Sequence, residues 1–137
     1  MKVEERKATA TPRTKPNVGV GMPAWLELNE FGALVRDAFG WESYLVGSAA
    51  VGKVWRDVDV RLILPDDEWE RWFGVFRKPM SLNPKWCSLV RAYSALAKAM
   101  TGLPVDFQIQ QRTDANATFP NQVRCALILP FRVPDNP

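Results

Sequence analysis

Between residues 57 and 64 the chain alternates without a break. Val58, Val60, Leu62 and Leu64 fall on one side and Asp57, Asp59, Arg61 and Ile63 on the other, which is the period of a β-strand. A second alternating run sets Val105, Phe107 and Ile109 against Asp106, Gln108 and Gln110, and predicts a strand over 104–110. Apolar residues at helical spacing predict three helices. The first starts at Leu26 or Asn29 and ends at Phe39, with Phe31, Leu34, Val35 and Ala38 on one face and Gly40 as a left-handed cap. The second starts at Pro65-Asp66-Asp67, where acids complement the macrodipole, and carries a stripe of Trp69, Trp72, Phe73 and Phe76 that reads as core. The third opens at Asn83-Pro84, a cap followed by proline at the first helical position. Trp86, Leu89, Val90, Tyr93, Leu96, Ala97 and Met100 form its apolar face, which runs to Gly102. Residues 42–46 are expected as a strand running into Gly47-Ser48, 49–54 as a short helical turn, 78–82 and 113–122 as loops, and 123–129 as a last strand.

The aliphatic face of strand 57–64 needs only a core to pack against. The other face begins with two carboxylates whose Cα atoms, two residues apart in an extended chain, lie about 7 Å from each other. Ordinary sheet packing does not ask for that pair, because Asp has low strand propensity and like charges on one face repel. A cation between Asp57 and Asp59 removes the conflict. If strand 104–110 lies beside strand 57–64 with the apolar faces aligned, Asp106 joins them on the open face.

Oxygen ligands at this spacing suit Mg²⁺, which takes one or two carboxylates and leaves its other positions to water and substrate phosphates. Gly47 lets the backbone come close to a phosphate and Ser48 adds a hydroxyl donor. The helical turn after Ser48 points its amino end at the same loop, a geometry that favours anions. Lys53 or Arg56 could add charge there, the plain alternative being a solvated loop with two surface cations. The chemistry indicated is metal-assisted transfer of a phosphate-bearing group.

Composition narrows the setting. A chain of 137 residues with 47% hydrophobic residues makes one folded domain rather than a disordered segment. Residues 1–22 hold five bases (Lys2, Arg6, Lys7, Arg13, Lys15) against two acids (Glu4, Glu5), so they carry the whole excess of +3 and the rest of the chain is neutral. They read as a flexible basic arm preceding a single domain over 23–137, and nucleic acid is expected to bind only through that arm. Gly19-Val20-Gly21 follows no strand and is soon met by Pro23, so it reads as linker rather than a phosphate loop. The proline-rich C-terminal end is expected to fray. Cys87 and Cys125 are too few for a disulfide framework, and no apolar run approaches a signal peptide or a membrane span. A cytoplasmic setting with reduced thiols and no membrane partner follows. The chain has no His, which excludes Ser-His-Asp and Cys-His catalysis and every His-containing metal site.

With these residues in place the chain resembles the nucleotidyltransferase superfamily that includes DNA polymerase β, and especially its minimal members. The resemblance rests on Gly47-Ser48 at a strand end, a short helical segment, Asp57-Val58-Asp59 on the next strand and Asp106 on a later one, and spans residues 45–110. It implies an α+β, nucleotidyltransferase-like fold, a small mixed sheet with helices packed on one face. It also implies transfer of a nucleoside monophosphate from a nucleoside triphosphate such as ATP to an acceptor hydroxyl on a small molecule, protein or RNA. Asp57, Asp59 and Asp106 would be both the catalytic residues and the ligands of Mg²⁺ or Mn²⁺, with Asp106 helping to deprotonate the acceptor. Gly47, Ser48, Lys53 and Arg61 would serve the triphosphate. Arg56 stands where the family often has a small hydroxyl residue, and the eight residues between Ser48 and Asp57 make a short connection. About 115 residues remain beyond the arm, with no second domain to hold base and acceptor, so a protein partner, a homodimer or loss of activity is implied. Two alternatives stay open. One is an inactive module that keeps the scaffold for binding or regulation. In the other, Asp59 and Arg61 merely neutralise each other on a solvated face.

Overall fold

The computed structural model describes residues 15–129. The expected arm up to residue 14 and the proline-rich end from residue 130 lie outside the described residues. In chain order the elements are helix α1 (Ala24–Phe39), strand β1 (Ser43–Val46), a 3₁₀ turn (Ser48–Ala50), strand β2 (Val58–Leu64), helix α2 (Asp66–Phe73) and a second 3₁₀ turn (Met80–Leu82). Helix α3 (Pro84–Thr101), strand β3 (Val105–Gln111), helix α4 (Arg112–Thr118) and the two-residue strand β4 (Cys125–Ala126) follow. The sheet order is β3-β2-β1-β4. Strand β1 runs antiparallel to β2 and to β4, and β2 runs parallel to β3. This is an α+β architecture on an open, mixed, four-stranded sheet.

The helix ends follow local chemistry. Gly40 and Gly102 close α1 and α3 in the left-handed conformation, at φ 84° and 73°. Asn83 caps α3, its Oδ1 accepting from the Trp86 N–H at 3.0 Å with Pro84 at the first helical position. Parallel strands cannot be joined by a hairpin, so the chain between Leu64 and Val105 crosses back through α2 and α3.

Val58, Val60, Leu62 and Leu64 of β2 are wholly buried, with Phe107 and Ile109 of β3 beside them. They share one core with Leu28, Phe31 and Val35 of α1 and Val90 and Ala97 of α3. The Phe31 ring meets Phe107 edge-on at 5.6 Å. Burial of each large aliphatic side chain is worth about 1.5–3 kcal/mol.

Strand β3 is a sheet edge, and α3 covers it. Ser94 Oγ accepts from the Phe107 N–H at 2.9 Å and donates to the Phe107 carbonyl at 3.3 Å. Trp86 Nε1 donates to the Ile109 carbonyl at 2.9 Å. Three backbone groups that would invite another strand, the Phe107 N–H and carbonyl and the Ile109 carbonyl, are thereby occupied.

Three stretches differ from expectation. Residues 113–118, expected as part of a loop, belong with Arg112 to α4. The Gln111 side chain caps it by accepting from the Asp114 N–H at 3.2 Å, and Asp66 accepts from both the N–H and the hydroxyl of Thr113, at 3.1 and 2.5 Å. Ala115 then buries against the body. The expected strand over 123–129 pairs only at Cys125 and Ala126. Beyond it Leu127 still donates to the Ser43 carbonyl at 3.0 Å, but the Leu129 N–H is taken by Asn29 Oδ1 at 2.8 Å, a side chain of α1 rather than a neighbouring strand. Contacts with the folded body also begin inside the stretch read as arm. The N–H groups of Asn17 and Gly19 donate to the carbonyls of Ala50 and Ala49, at 2.8 and 2.7 Å, and Trp55 Nε1 donates to the Gly19 carbonyl at 3.0 Å. Among the described residues no helix is long and apolar enough to cross a membrane.

Candidate functional site

The register of the two central strands sets Asp59 directly opposite Asp106, and the register of β1 sets Val46 opposite Asp59. Val46 therefore shares the face of Asp59, and the chain leaves the strand at the next residue in a turn that brings its backbone against the Asp59 carboxylate. That residue is Gly47, at φ 73° and ψ −157°, where an L side chain is strained. A β-carbon on Gly47 would lie 2.5 Å from Asp59 Oδ2, so the carboxylate sits against the bare backbone of the turn. Ser48, exposed, opens the 3₁₀ turn, which the Ala50 N–H closes onto the Gly47 carbonyl at 3.0 Å.

Arg61 ties the two acidic strands together. Its Nη1 donates to the carbonyls of Asp106 and Val60 at 2.6 and 3.1 Å, while Nη2 lies 3.5 Å from Asp106 Oδ2 and 3.8 Å from Asp59 Oδ1. The Arg61 side chain is only 12% exposed, against 28% for Asp59 and 44% for Asp106. Gln108 Nε2 stands 3.5 Å from the other Asp106 oxygen. Asp57, one residue before β2, is exposed and makes no hydrogen bond or ion pair with a described residue. Its charge is still felt at Asp59.

Burial pushes the Asp59 carboxyl above its ordinary range; Arg61 pulls it back, and Asp106 and Asp57 each push it up again. Desolvation and two like charges thus outweigh one guanidinium, and the spot carries more negative charge than its own cation neutralises.

Among the described residues no group of three or more acidic, Cys or His side chains is arranged to hold a metal ion. The expected convergence of Asp57, Asp59 and Asp106 into a ready cage is therefore not formed. What the fold does bring together is Asp59 and Asp106 on neighbouring strands, the Gly47 backbone and one guanidinium. Two carboxylates that share one guanidinium could hold Mg²⁺ or Mn²⁺ only if the ion filled the rest of its shell from water and phosphate oxygens, and do not fit an ion enclosed by protein alone. Lys53 and Arg56 are exposed on the turn before β2 and make no ion pair with a described residue. Arg61, expected to serve a triphosphate, is engaged with the carboxylates and backbone carbonyls instead.

Asp106 also borders an open groove of about 490 Å³ between α3 and β3, with Trp86, Val90, Arg91, Ser94 and Gln108 among its walls. Trp86, Val90 and Ser94 recur every four residues on one flank of α3; Trp86 and Val90 were expected only as part of its apolar face. No protein-family model, curated protein or solved structure matches the chain.

Proposed function

We propose that the protein is a divalent-metal-dependent nucleotidyltransferase with a minimal nucleotidyltransferase-like fold. The observation that carries this reading is the pairing of Asp59 with Asp106 across β2 and β3, with the Asp59 carboxylate seated on Gly47. An acidic pair with excess negative charge beside an open turn whose Gly47 carries no side chain suits a polyphosphate that brings its own cation.

In the reaction the oxygen of an acceptor hydroxyl attacks the α-phosphorus of a nucleoside triphosphate. The bond to the β-bridging oxygen breaks, pyrophosphate leaves, and the acceptor proton passes to a carboxylate. Asp59 and Asp106, with Asp57 nearby, would hold Mg²⁺ or Mn²⁺, which supplies charge stabilisation to the attacking and leaving oxygens. The Gly47-Ser48 turn offers backbone N–H groups and a hydroxyl to the terminal phosphates. Asp106 borders the groove beside α3, so an acceptor lying there would present its hydroxyl to that carboxylate, the group placed to take the proton.

A second reading is favoured by Arg61. A guanidinium between the two carboxylates is also what an inactive binding or regulatory module would use to neutralise them permanently. Incubating the protein in cell extract with each α-labelled nucleoside triphosphate and Mg²⁺ or Mn²⁺ separates the readings. Label transferred by the wild type and not by D57N/D59N supports the enzyme. Equal labelling by both proteins, or none by either, removes it.

A further inference from the structure

Away from the acidic strands, the chain that crosses from α2 to α3 shapes a pocket of about 380 Å³, a size that suits a small organic molecule. Trp69 and Phe73 of α2 and Met80 of the second 3₁₀ turn give it apolar walls. Val75 and Leu82 add two more, with 70% and 72% of their surface exposed, and Arg77 is the charged residue of the lining. The walls are held in place from two sides. Asn83 Nδ2 donates to the Phe73 carbonyl at 3.1 Å, and Lys78 Nζ lies 2.7 Å from Asp114 Oδ1 of α4.

Two polar groups at this pocket have no partner. Trp69 is only 1% exposed, and its buried Nε1 meets no acceptor among the described residues. A donor in that condition is rare, because it has given up water and gained nothing in return. The Phe73 and Phe76 rings pack on Trp69 at 4.7 and 5.5 Å and offer it only carbon, so an acceptor has to arrive from the pocket side. Arg77 is exposed and makes no hydrogen bond or ion pair with a described residue.

We infer that this pocket binds a small organic anion. Its apolar body lies against Phe73, Met80, Val75 and Leu82, an oxygen accepts from Trp69 Nε1, and its negative charge pairs with Arg77. An apolar surface of another protein would cover Val75 and Leu82 but bring nothing for the buried N–H or the guanidinium. None of these residues belongs to the Asp59–Asp106 site, so the inference stands or falls apart from the nucleotidyltransferase reading.

The test is a heteronuclear NMR titration that follows the Trp69 Nε1–H signal, with octanoate and phenylbutyrate as anionic probes and octanol as the neutral one. Measurements use the wild type, Arg77→Gln and Trp69→Phe. Wild type is expected to bind at least one acid at a single saturable site, with the Trp69 signal moving downfield, and to bind octanol about tenfold more weakly than octanoate. The better of the two acids tells an aliphatic body from an aromatic one. R77Q should weaken both acids about tenfold and leave octanol unchanged, and W69F, which keeps a ring but no donor, should weaken the acids about fivefold. Arg77 makes no contact that the fold depends on, so R77Q decides the matter even if W69F fails to fold. No saturable movement of the Trp69 signal with either acid, equal binding of octanoate and octanol, or acid binding unchanged in R77Q overturns the inference. Self-association of the wild type at high concentration with no acid bound also overturns it, and assigns the face to a second copy of the chain.

Discussion

Asp59 Oδ2 lies 2.5 Å from the point where a β-carbon on Gly47 would stand. One cannot gain a side chain without displacing the other, and Gly47 also holds a positive φ of 73°. Gly47→Ala is expected to cost about 1–3 kcal/mol through strain and the displaced carboxylate. It should also abolish Mn²⁺–nucleotide binding. Thermal unfolding and Mn²⁺ titration on the same sample check both halves.

Asp59 carries a carboxyl raised by burial more than Arg61 lowers it. A carboxyl with a raised pKa in the fold binds protons that the unfolded chain has already lost. Stability therefore falls as pH rises from the ordinary carboxylate value to the raised one, and at neutral pH ionised Asp59 works against the fold. Asp59→Asn is expected to raise the Tm of the metal-free protein by about 2 °C while removing metal–nucleotide binding. An equal or lower Tm would show that the Arg61 ion pair dominates.

Ser94 satisfies both backbone groups of Phe107 on the outer edge of β3. Ser94→Ala leaves a part-buried N–H without its partner, at a cost of about 1–3 kcal/mol. It also reopens a strand edge. Chemical denaturation should show the loss, and light scattering at high protein concentration should show association that the wild type lacks.

The Asp66 carboxyl is held below its ordinary value first by the Thr113 hydroxyl and then by the Thr113 N–H. A lowered folded pKa gives stabilisation that is complete above the unfolded value and is lost as pH falls through the folded one. Helix α4, tethered by these bonds, is expected to lose amide protection in acid before β2 and β3 do. Asp66→Asn should bring that loss to neutral pH, with hydrogen exchange of residues 113–118 as the readout.

The strands that carry the site were legible because a period of two can be read one residue at a time. The apolar positions of 58–64 and 105–109 fall on the core face as their alternation requires, and matching the two apolar faces was enough to put Asp106 on the same face as Asp59, though not to set the register that places them opposite each other. The caps at Gly40, Asn83 and Gly102 were equally local. What escaped depends on partners far away in sequence. Helix α4 is short, polar and held through Thr113 to Asp66, 47 residues earlier. The end of the expected last strand is taken over by Asn29, 100 residues away. Arg61 was placed on the right face, but its engagement with the Asp106 carbonyl follows from the strand register and the reach of a long side chain. No spacing rule reports that. The docking of Asn17 and Gly19 on the 3₁₀ turn was hidden by a composition that reads as linker.

The most direct measurement is a crystal structure of the wild type with Mn²⁺ and a non-hydrolysable nucleoside triphosphate, with the metal located by its anomalous scattering. The expected result is an anomalous peak about 2.1–2.2 Å from carboxylate oxygens of Asp59 and Asp106, with the terminal phosphates on the Gly47-Ser48 turn. A metal bound elsewhere, or a triphosphate that leaves Gly47 and the acidic pair untouched, contradicts the proposed chemistry.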